Sequence, residues 1–95
     1  MKLVVSTEAV ADLERLKTFL ADKDAKASER AATALVEAIG SLGNLPERGR
    51  PSAVQGLREL VVPFGQSAYV VRYAYRASTE TVFIVRIWHG REDRP

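Results

Sequence analysis

The sequence predicts an α+β domain of order β-α-α-β-β-β, an antiparallel sheet carrying a helical hairpin packed on one face. Three observations lead there. A short β-branched run opens the chain. Two consecutive stretches then repeat their apolar residues at helical spacing with only a short polar turn between them. Three β-like runs separated by four-residue connectors close it. Such a sheet and hairpin bury both amphipathic stripes in one two-layer core.

Lys2–Val5 is the first strand, short and β-branched. Ser6 is an N-cap candidate, and Glu8 adds negative charge where the helix dipole favours it. Val10, Leu13, Leu16 and Leu20, with Phe19 beside them, form an apolar stripe to about Ala21. Asp12, Glu14, Arg15 and Lys17 fall to the other faces. Ala21–Asp24 is a polar turn. The second helix, about Ala25 to Leu42, is rich in alanine and lines Ala31, Leu35, Ala38, Ile39 and Leu42 along one stripe. Gly40 suggests a close backbone contact, and Gly43, with Pro46 beyond it, a left-handed C-cap.

Residues 43–56 hold three glycines and two prolines and read as a loop pinned to the core by Leu45 and Val54. The β runs are Leu57–Pro63, Ala68–Arg76 and Thr81–Trp88, an antiparallel meander in which Pro63 ends its strand or lies on an edge. Tyr69, Tyr73 and Tyr75 share one parity, as core packing would require or, less simply, a stacking platform. In the last strand, Phe83, Val85 and Ile87 are expected to face the helices, because burying an unpaired Arg86 is costly. Val82, Ile84, Arg86 and Trp88 would then form a semi-apolar, cationic open face, a partner surface. Gly90–Pro95 reads as a polar, fraying tail.

The 95 residues make one domain, 1–95. There is no cysteine and one histidine, so disulfides, thiolate chemistry and ordinary zinc sites are excluded. No glycine-rich loop has phosphate- or dinucleotide-binding spacing, and no metal or cofactor is expected. No apolar run approaches the ~20 residues of a membrane span, and the N-terminus lacks a signal-peptide pattern. The expectation is a cytoplasmic, unprocessed protein without a membrane partner. Net charge is +2 and unevenly spread. Thr7–Leu42 carries −2, whereas Gly43–Pro95 carries +3 with arginine as its only cation. Arginine forks suit phosphates, carboxylates and flat groups, so the second half reads as a surface for nucleic acid or an acidic segment, or as mere composition.

Four segments in order then carry a resemblance: Leu45-Pro46-Glu47-Arg48-Gly49, Gly56-Leu57-Arg58-Glu59-Leu60, Tyr69-Val70-Val71-Arg72-Tyr73 and Val85-Arg86-Ile87-Trp88-His89-Gly90-Arg91-Glu92. Together they resemble the RelE/ParE family of toxins from type II toxin–antitoxin modules, over nearly the whole chain. The resemblance implies a compact antiparallel-sheet fold, a cognate antitoxin, and toxicity once the antitoxin is lost. Its RelE branch cleaves mRNA on the ribosome; its ParE branch poisons DNA gyrase. The His-Gly-Arg ending is closer to the ParE branch. RelE-type nucleases often carry a tyrosine near this end, and here none follows Tyr75.

A metal-free nuclease needs a base, a cation for the phosphorane and an acid. Arg58, Arg86, His89 and Glu47 are the candidates, although Arg58 and Arg86 could equally be tied in ion pairs to Glu59, Glu80 or the C-terminal acids, and a lone histidine closing a strand is often structural. For a non-catalytic poison, Arg58, Arg86, Trp88, His89 and Arg91 are the target-binding candidates. The antitoxin is expected to lay a disordered, acidic segment along an apolar groove and the arginine-rich side, meeting Leu13, Leu16, Leu20, Arg48, Arg50 and Arg72. A degenerate member acting only as an interaction module is a third possibility.

Overall fold

A computed structural model describes residues 1–92 and 95. The elements are β1 (Lys2–Val5), α1 (Thr7–Ala21), α2 (Ala25–Ser41), β2 (Arg50–Pro51), β3 (Arg58–Phe64), β4 (Ser67–Arg76), a 3₁₀ turn at Ala77–Thr79 and β5 (Thr81–His89). They form an α+β fold with one five-stranded sheet ordered β1-β5-β4-β3-β2. Three of its strand pairs are antiparallel, and β1 runs parallel to β5. The helical hairpin covers one face, α1 against β5 and α2 against β3.

α1 starts on the cap expected from the sequence, and α2 on Asp24, the last residue of the polar turn. Ser6 Oγ accepts the Ala9 amide, and Asp24 accepts those of Lys26 and Ala27. The end of α2 differs from expectation. Leu42 is right-handed, and Leu42, Gly43 and Asn44 donate to Ile39, Gly40 and Ser41, so tightened i→i+3 bonds close the helix without a left-handed residue. Gly40 has no close neighbour either. At Gly43 a Cβ would stand 3.2 Å from the Gly40 carbonyl.

The 43–56 segment is tied down by polar groups rather than by Leu45 and Val54, whose side chains are exposed. Its Gly49 amide donates to the Tyr73 hydroxyl at 2.9 Å. The two residues of β2 pair with Glu59 and Arg58, a strand too short and too proline-bound to show in sequence periodicity. Pro63 lies where the outer side of β3 has no strand neighbour, as a residue without an N–H requires. The β3–β4 turn uses Gly65 at φ 60°.

The parity expected for β5 holds for Ile87 but fails at the start of the strand. Arg72 pairs with Arg86 but Tyr73 pairs with Ile84, so Val85 is an extra residue on β5. The bulge inverts the alternation, and the core receives Val82 and Ile84 before it and Ile87 after it, not Phe83 or Val85. They meet Leu60, Val62, Tyr69, Val71 and Tyr73 on the sheet and Ala9, Leu16, Ala31, Leu35 and Leu42 beneath the helices. Each buried Leu, Ile or Val contributes about 1.5–3 kcal/mol. Tyr69 and Tyr73 are thus core residues. In the C-terminal segment, Gly90 donates to the Ala68 carbonyl and Glu92 to that of His89, so it is held rather than frayed up to Glu92. The same expectation for Asp93 and Arg94 lies outside the described residues.

Candidate functional site

β5 outruns β1. Their pairing stops at Val5 opposite Ile84, leaving five residues of β5 with an open edge. Side chains replace the missing strand. Ser6 donates its amide to the Ile84 carbonyl at 2.9 Å and its hydroxyl to that of Val85 at 2.8 Å. The Ile87 amide donates to Asp12 Oδ2 at 2.8 Å, Arg15 reaches the Ile87 carbonyl at 3.4 Å, and the His89 amide donates to Glu92 Oε1 at 2.7 Å.

Asp12 is the hub. It is 4% exposed and also accepts Arg86 Nε at 2.8 Å, Arg86 Nη2 at 3.1 Å and Arg15 Nη2 at 3.1 Å. Burial pushes its carboxyl up, but the hydrogen bonds from Arg86, the Ile87 amide and Arg15 outweigh that and hold it below its ordinary value. The same bond raises Arg86, whose side chain keeps 34% of its surface in solvent. Asp12 sits within the apolar stripe, three residues after Ala9 and four before Leu16. This corrects the expectation that Asp12 falls to another face; a carboxylate in register with Ala9 and Leu16 is the mark of a buried charge that calls for a cation. The ion pair expected for Arg86 thus exists, but with Asp12 rather than Glu59, Glu80 or a C-terminal acid.

Beyond this hub β5 turns. His89 Nδ1 accepts the Arg91 amide, and its ring meets Tyr69 edge-on at 5.3 Å between centroids. Burial, then the charge of Glu92, pushes the Tyr69 phenol up. Arg15 also bonds the Glu92 carboxylate. Against α1, a cleft of about 520 Å³ is lined by Arg15, Phe19, Leu20, Lys23, Tyr69, His89 and Arg91. It shares Leu16, Leu20 and Tyr69 with the groove between the helices, lined by Leu13, Ala31, Leu35, Val36 and Ile39. Leu13 and Leu20 are half-buried there, whereas Leu16 reaches the core.

The opposite end of the sheet holds Arg58 and Glu47. Arg58 Nη1 donates to the carbonyls of Gly49 at 2.8 Å and Glu47 at 3.2 Å, bracing the loop. Arg48 and Glu47 are exposed on it, and Arg48 bonds the Ser41 hydroxyl. On the sheet face away from the helices, Glu59, 2% exposed, bonds Arg72 at 3.2 Å and Arg50 at 3.4 Å. Arg72 lies 4.9 Å over the ring of Trp88, itself 3% exposed, and also bonds the Pro95 carbonyl. Of the residues proposed from sequence, then, His89 and Arg91 come together at one end and Arg58 and Glu47 at the other. Arg86 lies between and is committed to Asp12. Trp88 and Arg72 are buried on the sheet face away from the helices, and Arg48 and Arg50 are exposed.

Residues 3–94 match a family described as the ParE toxin of the type II toxin–antitoxin system parDE. The chain is 44% identical over 92 residues to a Caulobacter vibrioides protein named Toxin RelE1, covering 97% of this chain and 96% of that one. It is 39% identical to Toxin RelE2 of the same organism, covering 94% of each. Among solved structures, a chromosomal ParDE system from P. aeruginosa superimposes with a TM-score of 0.74 at 22% identity, covering 94% of this chain and 95% of that one. The Mycobacterium tuberculosis RelBE2 toxin–antitoxin complex gives 0.63 at 27%, covering 93% and 95%. Among the described residues, no helix is long and apolar enough to cross a membrane.

Proposed function

Because this chain belongs to the ParE toxin family of type II toxin–antitoxin systems, we propose that it arrests growth by binding DNA gyrase and holding it on cleaved DNA, and that a cognate antitoxin neutralises it. The observation that carries this reading is the dispersal of the groups a metal-free nuclease would need. Arg58 sits opposite Tyr73 and His89 opposite Tyr69, four residues or about 13 Å apart along β4. The Arg58 guanidinium bonds loop carbonyls and that of Arg86 a carboxylate, so neither is aimed with His89 at a common phosphate. A binding surface has no such convergence requirement. His89 and Arg91, at the mouth of the α1 cleft, are its centre. Arg58, Arg86 and Trp88 contribute by shaping the sheet behind them.

For the antitoxin, the support is an apolar groove between helices in a chain whose structural relatives are toxin–antitoxin complexes. A segment folding along Leu13, Leu16 and Leu20 would bury that surface, and Arg48 and Arg50 suit acidic residues flanking it. Arg72 acts there through Glu59 rather than by direct contact.

The test pairs two assays. Purified protein should inhibit gyrase supercoiling and accumulate cleaved DNA, while transcripts stay intact in induced cells. Unchanged supercoiling without DNA breaks would end the gyrase reading. The second reading, a ribosome-dependent endoribonuclease, is favoured by the RelE names of the Caulobacter relatives. It requires cut transcripts soon after induction.

A further inference from the structure

We propose that Arg15 and Glu92, anchored through Asp12, are positioning residues for the His89-Gly90-Arg91 turn, fixing how the imidazole and the guanidinium are presented to the target. The proposal rests on the reading of that turn as the target surface.

The turn is gripped from two sides. On the β4 side, Gly90 donates to the Ala68 carbonyl at 2.8 Å, so close that a Cβ on Gly90 would lie 3.1 Å from the same oxygen. On the α1 side the grip is electrostatic. One Glu92 oxygen accepts the His89 amide and the other bonds Arg15. Arg15 is itself oriented by Asp12 and the Ile87 carbonyl. A single guanidinium therefore ties the helix, the end of β5 and the turn beyond it. Within the turn, the Arg91 amide donates to His89 Nδ1, which sets the ring's plane and uses one of its two nitrogens. Release of Glu92 from Arg15 frees the carboxylate that holds the His89 amide, and the orientation of both presented side chains goes with it.

A purely structural role predicts something different. The Arg15 and Glu92 side chains are 44% and 35% exposed, the class of ion pair that adds little to global stability. Removing either should leave the melting temperature nearly unchanged while disturbing the turn.

The experiment uses the full-length chain with Arg15→Ala, Glu92→Ala and the double variant. The first readout is hydrogen exchange at the His89 amide, expected to be roughly tenfold faster in each single variant, as loss of a charge-assisted hydrogen bond implies. The second is the inducer level needed for growth arrest, expected to rise in each single variant and no further in the double, since the two residues act as one unit. Arg15→Lys, which keeps the charge, should recover part of both. Wild-type exchange and toxicity in both singles, additive losses in the double, or losses that track the melting temperature would each overturn the proposal. Growth arrest does not depend on which target is correct. A wild-type protein that arrests growth but leaves gyrase untouched would remove the gyrase reading and leave this one standing. If the wild type arrests nothing, the functional reading falls and His89 exchange alone decides whether the turn is held as described.

Discussion

Asp12 and Glu59 are both carboxylates buried against the sheet with arginine partners, yet they are built differently. Asp12 takes a backbone amide along with its two arginines, at the one stretch of β5 where a neighbouring strand is missing. Glu59 meets Arg72, Arg50 and the Ser52 hydroxyl, side chain to side chain, while its backbone is already served by β2 and β4. A buried charge that closes the main chain cannot be exchanged for an apolar residue, because the amide it serves remains. A buried pair that closes no gap in the sheet is easier to exchange, provided both members go together, although Arg72 also holds the Pro95 carbonyl.

The largest effect should follow Asp12→Ala, which strands the Ile87 amide and unpairs Arg86. The expected loss is about 3 kcal/mol of unfolding free energy, read by denaturant melts. Water reaches Arg86, so the orphaned amide carries most of the cost. The pH dependence has a definite sign. The folded carboxyl sits below its unfolded value of about 3.9. The unfolded chain therefore binds more protons between the two values, and stability rises with pH across that window. The contribution is whole above the unfolded value and gone once pH falls through the folded one. Asp12→Asn should accordingly flatten the acid limb of the wild-type stability curve, whereas an unchanged limb would mean that Asp12 is not held as described.

This half of the comparison was hidden in the sequence for a physical reason. The helices were legible from Ser6, the polar turn between them and their apolar stripes, and the strands from their β-branched runs. Asp12 was not, because on a helix wheel it looks like the polar edge of an apolar stripe, and its demand for a cation is met 74 residues away. The parity of β5 was hidden as well. Val82 to Trp88 is apolar at both parities except at Arg86, so nothing in the spacing marks the bulge at Val85. Of the site, the His89–Arg91 ending was visible as a motif. The dispersal of Arg58 and Glu47 to the far end followed only from register.

On the Glu59 side a smaller loss is expected from Gly49→Ala. A Cβ there would lie 2.7 Å from the Tyr73 hydroxyl, 2.8 Å from its ring and 3.0 Å from the Glu59 carbonyl, the last a rigid neighbour. The loop must shift, and with it the Gly49–Tyr73 hydrogen bond and the pairing of β2 over Glu59. The cost should be about 1–3 kcal/mol, with faster amide exchange at Gly49 and Arg50 and little change at Ile87. Equal changes at both sites would mean that the two carboxylate clusters are not independent.

The smallest net effect should come from replacing both members of the inner pair, Glu59→Leu with Arg72→Met. Burial makes each charge expensive alone, so either single change should destabilise by about 3 kcal/mol through the partner left behind. Together they remove both charges along with Arg72 Nε, which finds no hydrogen-bond partner among the described residues. Methionine can still lie against the Trp88 ring, where its sulfur replaces part of the guanidinium contact at 4.9 Å. Arg50 keeps more than half of its side chain in water and gives up only a weak pair. The double variant should therefore melt within about 1 kcal/mol of wild type. The corresponding exchange at Asp12 and Arg86 should not recover, since no apolar residue at position 12 can accept the Ile87 amide. A double variant at 59 and 72 as unstable as its singles would show that what this pair holds, the Pro95 carbonyl included, matters as much as the Ile87 amide.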